Sequence, residues 1–168
     1  MPLEVSLVPG TAADQRTLAN LMQLYTYEFS DLLELDVAED GLFAQRDVSG
    51  FFREPVRRVL FLRAGGKLAG FVIVDHRSRL SDEQGVVDMA EFFVLRRYRG
   101  QGIGARAAVL AFTAFRGKWE VRQVASNSAA TAFWRKVIGR YTGDRYTERV
   151  LDDARWRGPV QFFASSTP

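Results

Sequence analysis

A glycine-rich segment between a predicted strand and a predicted helix constrains this chain more than any other feature. The segment is Arg99-Gly100-Gln101-Gly102-Ile103-Gly104. Its three glycines allow the backbone to approach a ligand closely, because no Cβ atom stands in the way. The first N–H groups of the following helix would point at that ligand, and the helix dipole favours a negative charge there. The segment therefore predicts a phosphate-binding turn, with a ligand-free strand-to-helix turn as the alternative.

Arginines surround this turn. Arg96, Arg97, Arg99 and Arg106 lie within eleven residues, whereas the net charge of the whole chain is only +3. The mild net charge gives no reason to expect a nucleic-acid partner. The local cluster favours an anionic ligand at the turn, and a solvated run of charges is the alternative explanation.

Two common phosphate-binding motifs fit the segment poorly. A P-loop requires Gly-Lys-Ser/Thr at its end, but Gly104 is followed by alanine and arginine. The dinucleotide fingerprint G-x-G-x-x-G/A matches Gly102-Ile103-Gly104-Ala105-Arg106-Ala107, but it also requires an acidic residue at the end of the next strand. Glu120 has roughly the right separation but stands at the start of its strand, and only 64 residues follow Gly104. We therefore interpret the dinucleotide match as accidental.

Apolar periodicity and turn residues predict an α+β (mixed α/β) domain. Helices are predicted at Ala12–Phe29, Gly102–Phe115 and Ser128–Ile138. Strands are predicted at Leu3–Leu7, Val59–Arg63, Leu68–Asp75, Val86–Leu95, Trp119–Ala125, Tyr146–Leu151 and Val160–Ala164. A turn around Gly158-Pro159 is expected between the last two strands. The secondary structure of the Asp31–Phe52 segment is ambiguous, and either a short helix or an irregular segment that covers part of the domain is expected there.

The residue inventory excludes several kinds of site. The chain has no cysteine, which excludes disulfides, a thiol nucleophile and a Cys-based zinc site. Its only histidine, His76, excludes a multi-His metal site, so no metal is expected. Because no apolar run could span a membrane and no signal-peptide pattern is present, a cytoplasmic protein without a membrane partner is expected. No linker divides the chain, and residues 1–168 are expected to form one domain.

The glycine-rich turn resembles the signature of the GNAT superfamily of N-acyltransferases. That signature is Arg/Gln-x-x-Gly-x-Gly/Ala between a strand and a helix, and here it is carried by Arg99, Gly102 and Gly104. The preceding Glu91-Phe92-Phe93-Val94 resembles the family's fourth strand, in which an acidic residue is followed by apolar ones.

A second motif strengthens the resemblance. Asn127-x-x-Ala130-x-x-Phe133 has the family's spacing from the fifth strand into the next helix. Two linked motifs at the right separation are more specific than one. The resemblance covers about Val59 to Ile138, and outside that region the agreement is in layout only.

The resemblance implies a central, mostly antiparallel sheet of six to seven strands with about four flanking helices. In this family the fourth and fifth strands splay apart and hold the pantetheine arm of acetyl-CoA, the expected cosubstrate. The main chain of Phe93 and Val94, with Phe92 adjacent, would bind the arm and polarise the thioester carbonyl, because amine attack builds an oxyanion. Ordinary strand core is the alternative role for these three side chains.

The turn and the next helix complete the cofactor site that the resemblance implies. Main-chain N–H groups would wrap the pyrophosphate along Arg99, Gly100, Gln101, Gly102, Ile103 and Gly104. Asn127 and Phe133 would contact the arm from the fifth strand. Asn127 also suits the N-cap of its own helix, and the two roles are compatible.

Two positions that are catalytic in many relatives carry other residue types here. Relatives have a tyrosine acid directly after the motif's last aromatic residue, whereas this chain has Trp134, whose indole is not a useful proton donor. Some relatives have a glutamate on the fifth strand where this chain has Arg122. Glu91 is the best remaining general base, because it shares a strand face with Phe93. An arginine pair is the alternative role for Glu91, and Asp88 is a weaker candidate base.

The acceptor pocket in this superfamily is lined by the first helices and by the loop between the last two strands. Here that means Tyr25, Tyr27, Glu28, Phe29, Asp31 and residues near Asp152–Trp156. Tyr25 and Tyr27 are predicted substrate contacts, with core packing as the alternative, and the general acid is left open among Tyr25, Tyr27 and Tyr141. Aromatic and acidic groups together suit a cationic small molecule or a peptide amine.

Two functions therefore stay open. The first is an N-acetyltransferase that moves an acetyl group from acetyl-CoA directly to a primary amine of a small molecule or protein. The second is a GNAT-fold protein that binds acyl-CoA with little or no transfer, as a sensor or scaffold. Assembly into a homodimer is also left open.

Overall fold

The computed structural model describes residues 1–44 and 46–165, and its elements follow the predicted order. The helices are α1 (Gln15–Leu33), α2 (Ser49–Arg53), α3 (Ile103–Ala114) and α4 (Ser128–Thr142). The strands are β1 (Val5–Pro9), β2 (Arg57–Ala64), β3 (Lys67–Arg77), β4 (Gln84–Val94), β5 (Gly117–Arg122), β6 (Thr147–Asp152) and β7 (Arg157–Ser165). α1 extends to Leu33, beyond its predicted end at Phe29. Among the helices of the described ranges, none is long and apolar enough to cross a bilayer.

The strands form one sheet in the order β1-β2-β3-β4-β5-β7-β6. All neighbours pair antiparallel except β4 and β5, which run parallel. The parallel ladder begins at Val86 with Lys118 and ends at Asp88 with Glu120, although β4 continues to Val94. The two strands therefore diverge beyond Asp88. The predicted mixed fold, with a mostly antiparallel sheet and splayed fourth and fifth strands, is confirmed.

A β-bulge in β4 sets the direction of its side chains. Ile73 of β3 faces Glu91, but the next residue of β3 faces Met89, so Ala90 has no partner in the ladder. Such a bulge adds twist and re-aims side chains, and bulges are common next to active sites. Because of it, Asp88 and Glu91 lie on the same face of the sheet although they are an odd number of residues apart.

Helices cover both faces of the sheet. On one face, α1 and α2 pack on an apolar cluster of Leu18, Leu21, Met22, Phe51, Val59, Phe61, Phe71, Ile73 and Phe93. On the other face, α3 and α4 pack on a cluster that includes Phe112, Trp119, Trp134, Ile138 and Phe163. The alanines Ala107, Ala108 and Ala111 of α3 are fully buried, which lets this helix lie close to the strands.

The turn predicted around Gly158-Pro159 is wrong. Both residues lie inside β7, and the turn is formed by residues 153–156, where Asp153 Oδ1 accepts hydrogen bonds from two main-chain N–H groups. A Cβ atom at Gly158 would lie 2.2 Å from the Gln123 carbonyl oxygen. This glycine therefore allows a close approach between β7 and the segment after β5, a role that its sequence context does not distinguish from a turn.

Candidate active site

A pocket of about 540 Å³ opens where β4 and β5 diverge. Its walls come from α1, the segment after α1, β2 to β5, α4 and the β6–β7 turn. Seven of the residues predicted for the site line it: Tyr25, Phe29, Asp88, Glu91, Phe92, Asn127 and Trp156. Phe93 and Val94 have buried side chains, as the core alternative predicted, so any role toward a ligand belongs to their main chain. Beyond Asp88 the β5-side edge of that main chain faces the cleft, because β5 has diverged.

The glycine-rich turn has the geometry of an anion cradle. Gly100 and Gly102 adopt φ angles of 74° and 73°, in the left-handed region that favours glycine. A Cβ atom at either position would meet no heavy atom within 4 Å, so the space beside the backbone is open. Arg106 N–H bonds to the Gly102 carbonyl at 3.1 Å, and the earlier N–H groups of a helix have no intrahelical acceptor. Ile103 is buried, and Gln101 donates to a carbonyl of the preceding turn.

These features fit a phosphate-bearing cosubstrate such as acetyl-CoA. A phosphate needs open space beside the backbone together with unbonded N–H donors, and the start of α3 supplies both.

Gly104 brings the two predicted motifs into contact. A Cβ atom there would lie 3.4 Å from the Phe133 ring and 3.5 Å from Val94 Cγ2. The Phe133 ring in turn lies 5.8 Å from the Phe92 ring and 4.9 Å from the Trp134 ring. The absent side chain of Gly104 thus lets α3, β4 and α4 meet beside the cleft.

One carboxylate of α1 braces the turn. Glu28 Oε1 lies 2.6 Å from Arg96 Nε, and Glu28 Oε2 lies 3.1 Å from Arg99 Nη1. Arg99 Nε also donates to the Val94 carbonyl at 2.8 Å, which ties the end of β4 to the turn. The hydrogen bond from Arg96, more than any other contact, lowers the pKa of Glu28. The sequence predicted that Glu28 lines the acceptor pocket. In the structure, its carboxylate instead binds the arginines of the glycine-rich turn.

Glu91 faces the pocket and is paired with an arginine. Its Oε1 lies 2.6 Å from Arg46 Nη1, and its side chain is only 15% exposed. Tyr25 approaches the same carboxylate, and burial first, with Glu91 second, raises the pKa of the Tyr25 hydroxyl well above its ordinary value. The Tyr25 ring is held by the Phe71 and Phe93 rings, each 5.5 Å away. Glu91 therefore faces the pocket, as predicted for a base, and it also forms the arginine pair that was its alternative role.

The other two candidate tyrosines lie elsewhere. Tyr27 is 62% exposed, and Tyr141 packs on Phe112 and Phe163. The described part of the pocket wall includes neither of them.

Asn127 caps α4 as predicted, and it also borders the pocket. Its Oδ1 accepts a hydrogen bond from Ala130 N–H at 3.1 Å. Trp134 forms the inner apolar wall, where its ring lies 4.8 Å from the Phe92 ring.

A row of paired charges crosses the sheet at the bottom of the pocket. Arg57 Nε and Nη2 bind Asp75 at 2.6 and 2.8 Å, and Arg122 Nε and Nη2 bind Asp88 at 2.9 and 2.8 Å. Asp75 and Asp88 face each other in the ladder, so the row Arg57–Asp75–Asp88–Arg122 spans β2 to β5. Burial raises the pKa of Asp88, and Arg122 opposes that rise. Trp156 covers the row, with Arg122 Cζ 4.5 Å from the centre of its ring.

Half of this row was not predicted from the sequence. Asp88 and Arg122 were considered as site residues, but Arg57 and Asp75 were not, although charged residues within largely apolar strands were a visible signal.

Comparisons with known proteins agree with the geometry. The model of the acetyltransferase (GNAT) family matches residues 18–139. Among curated proteins none matches the sequence significantly. An acetyltransferase from Thermus thermophilus has a similar structure, with a TM-score of 0.66 and 19% identity over 98% of this chain and 99% of that chain.

Two further similar structures contain coenzyme A. An aminoglycoside acetyltransferase in complex with coenzyme A has a TM-score of 0.66 at 12% identity, over 96% of this chain and 95% of that chain. A Vibrio cholerae spermidine N-acetyltransferase in complex with CoA and spermine has a TM-score of 0.62 at 10% identity, over 96% and 95%. At such identities the likeness shows a shared fold. The family match covers most of the chain, and its signature turn and splayed strands are present, so this chain belongs to the acetyltransferase (GNAT) family.

Proposed function

We propose that this chain is an N-acetyltransferase that moves an acetyl group from acetyl-CoA directly to a primary amine. The observation that carries the proposal is the position of Glu91, whose carboxylate lines the pocket between the diverging strands. A general base must lie within hydrogen-bond reach of the proton it removes, and the amine must meet the thioester in this cleft. Glu91 stands on β4, three residues before Val94, and thus beside the main chain proposed to bind the thioester.

The cosubstrate is proposed to lie along β4 and the turn after it. A thioester supplies an acyl group that an amine can attack. The main chain of Phe92, Phe93 and Val94 would bind the pantetheine arm on the edge that β5 leaves open. The N–H groups of residues 99–104 would hold the pyrophosphate. Asn127 and Phe133 would contact the arm from the α4 side.

Direct transfer is supported by the residue inventory. The chain has no cysteine, so it offers no thiol to carry the acyl group between two half-reactions. Glu91 would take the proton of the acceptor ammonium, directly or through a water. The neutral amine would then attack the thioester carbon, the C–S bond would break, and CoA would leave as a thiolate that takes the second proton of the nitrogen directly or through water. Tyr25 stays protonated because its pKa is raised, and its hydroxyl can therefore donate to Glu91 and hold the carboxylate in place. In this proposal residues 1–168 act as one domain.

One contact favours the second function, acyl-CoA binding with little or no transfer. Arg46 neutralises Glu91 at 2.6 Å, and a carboxylate in such a pair must release the cation before it can act as a base. On the pocket wall, Trp134 also stands where many relatives have the tyrosine acid, and Arg122 stands where some have a glutamate base.

An amine-panel assay with acetyl-CoA separates the two functions. The panel should include amino acids, peptides, spermidine and an aminoglycoside, and thiol release should be recorded with and without each amine. The proposed transferase predicts amine-dependent thiol release for at least one class. Saturable acetyl-CoA binding without amine-dependent release from any class would support the binding protein instead.

A further inference from the structure

The acceptor end of the pocket carries balanced charges that are mostly paired. Within the described wall, three carboxylates are each held by an arginine: Asp75 by Arg57, Asp88 by Arg122 and Glu91 by Arg46. A polycationic acceptor needs carboxylates with free oxygen lone pairs, because its charge must be compensated once water is excluded. Apart from Glu91, whose arginine an entering amine can replace, the sheet floor of this pocket offers few such groups, because Asp75 and Asp88 are each bound through both carboxylate oxygens.

The paired arginines have N–H donors that their carboxylate partners do not use. Arg122 uses Nε and Nη2 for Asp88, and its Nη1 makes no hydrogen bond with any residue of the described chain. This side chain is only 9% exposed, but every buried side-chain nitrogen and oxygen of the described residues has a hydrogen-bond partner. Nη1 is therefore not buried, and Arg122 forms part of the pocket wall. Arg57 repeats the arrangement with Asp75, and its Nη1 is likewise unused within the described residues. Guanidinium donors therefore project from a floor whose acids are already satisfied.

A further arginine adds an uncompensated positive charge. Arg79 is one of the residues that line the pocket, and its exposed side chain makes no ion pair or hydrogen bond within residues 1–44 and 46–165. Its main-chain N–H donates to Glu120 Oε1 at 2.7 Å, and Glu120 lies two residues before Arg122 on the same face of β5. Arg79 and Arg122 thus border the same end of the pocket.

The remaining acid of the wall lies away from this floor. Asp36 has no cationic partner in the described chain, but it stands on the exposed segment after α1 and not on the sheet. Among the charged side chains of the described floor, the groups without a protein partner are arginine donors.

We propose that the acceptor is a primary amine that also carries a carboxylate, bound by Arg122 Nη1 and Arg79 while the amine lies at Glu91. The inference rests on the proposed function and names its substrate class. Arginine is suited to this role because its planar donors match a carboxylate and bind it through charge-assisted hydrogen bonds. Polyamines and aminoglycosides, the acceptors named for the structural neighbours, are then poor ligands for this chain.

Calorimetric titration into protein saturated with CoA tests the inference without requiring turnover. Each probe is an amino acid paired with its own amide: phenylalanine, 4-aminobutanoate and glycyl-phenylalanine against phenylalaninamide, 4-aminobutanamide and glycyl-phenylalaninamide. Spermidine is the polycationic comparison. At least one acid should bind about ten- to a hundredfold more tightly than its amide, the range expected for a charge-assisted hydrogen bond. Equal binding of acid and amide in all three pairs, or tightest binding of spermidine, would overturn the inference.

Substitution of the two arginines tests whether they cause the preference for the acid over its amide. Arg79→Gln should reduce the acid-over-amide ratio about tenfold. Arg122→Lys keeps the charge that Asp88 needs but removes the Nη1 donors, and should reduce the ratio as well. The matched control is Arg77→Gln, which removes an exposed arginine two residues from Arg79 that is not part of the described pocket wall. Because Arg79 is exposed, its variant should fold normally, and an unchanged ratio there would count against the proposal.

The same titrations separate this inference from the proposed function. Selective binding of acids without thiol release would support the carboxylate site while transfer fails. Thiol release that proceeds with equal kcat/KM for an acid and its amide would support transfer and refute the carboxylate site.

Discussion

Arg46 Nη1 lies 2.6 Å from Glu91 Oε1 on the wall of the pocket. Arg46 belongs to the segment between α1 and α2, so the proposed base is held by a residue far from it in sequence. The Arg46 side chain is 54% exposed, whereas the Glu91 side chain is only 15% exposed, so the pair is open to water on its arginine side. An entering ammonium group can therefore displace this arginine toward water and replace its positive charge beside Glu91.

Replacement of Glu91 by glutamine should lower kcat about 10²–10⁴-fold, the usual contribution of a general base. The affinity for acetyl-CoA should stay nearly unchanged, because the variant keeps the shape of the side chain and its hydrogen bond to Arg46. Steady-state kinetics and calorimetry measure the two quantities. Glu148→Gln is the matched control, because Glu148 is also an arginine-paired carboxylate but does not line the described pocket. An unchanged kcat in Glu91→Gln would exclude Glu91 as the base.

Replacement of Tyr25 by phenylalanine should lower kcat about tenfold, the effect of losing one hydrogen bond to a charged group. The ring contacts to Phe71 and Phe93 remain, so the fold should be preserved. Because the pKa of Tyr25 is raised, this hydroxyl does not titrate near neutral pH, and the shape of the pH–rate profile should persist in the variant. If the wild-type rate fell at alkaline pH and the rate of the variant did not, Tyr25 would instead be identified as an acid that titrates during the reaction. A parallel Tyr27→Phe variant tests the second tyrosine predicted to contact the acceptor.

The brace between α1 and the turn predicts a pH dependence of stability. The pKa of Glu28 is lowered from its ordinary 4.5, chiefly by the hydrogen bond from Arg96. A lowered folded-state pKa gives a contribution that is present above the unfolded value and lost as the pH falls through the folded one. In urea unfolding at pH 7, the free energy of unfolding of Glu28→Gln should therefore be lower than that of wild type by up to about 1 kcal/mol. The difference should shrink below pH 4.5, and a difference that is constant with pH would argue against the brace.

Gly70 should be indispensable for the position of β4. A Cβ atom at this residue would lie 1.9 Å from the Phe93 carbonyl oxygen, so alanine must push β3 and β4 apart. Gly70→Ala should lower the free energy of unfolding by about 1–3 kcal/mol or more. It should also weaken acetyl-CoA binding, because residues 93 and 94 would move. Gly66→Ala, in the turn between β2 and β3 where a Cβ atom meets nothing within 4 Å, should leave acetyl-CoA binding unchanged.

The parts of the fold that depend on local patterns could be predicted from the sequence. The strand–turn–helix unit around Gly102 was recognisable because glycine spacing and apolar periodicity coincide there. The cap formed by Asn127 follows from the same kind of local rule. The divergence of β4 and β5 came from the family resemblance and not from the residues themselves.

The rest depends on pairing between distant segments. The bulge at Ala90 exists only relative to β3, and it decides that Asp88 and Glu91 share a face. The pair between Arg57 and Asp75 likewise depends on the register of two strands. No local pattern encodes such a register. The sequence therefore predicted aromatic and acidic groups at the acceptor pocket, whereas the structure pairs most of the carboxylates there with arginines.

Binding of acetyl-CoA to Gly102→Val, compared with Gly66→Val, tests the cofactor site most directly. The two glycines have φ angles of 73° and 75°, and a Cβ atom at either would meet nothing within 4 Å. The backbone strain caused by valine is therefore matched, and only Gly102 stands at the start of α3. Calorimetric titration of acetyl-CoA should show saturable binding to wild type and to Gly66→Val. It should show none to Gly102→Val, because the valine side chain would fill the space of the phosphates. Equal binding to both variants would contradict the placement of the cosubstrate at this turn.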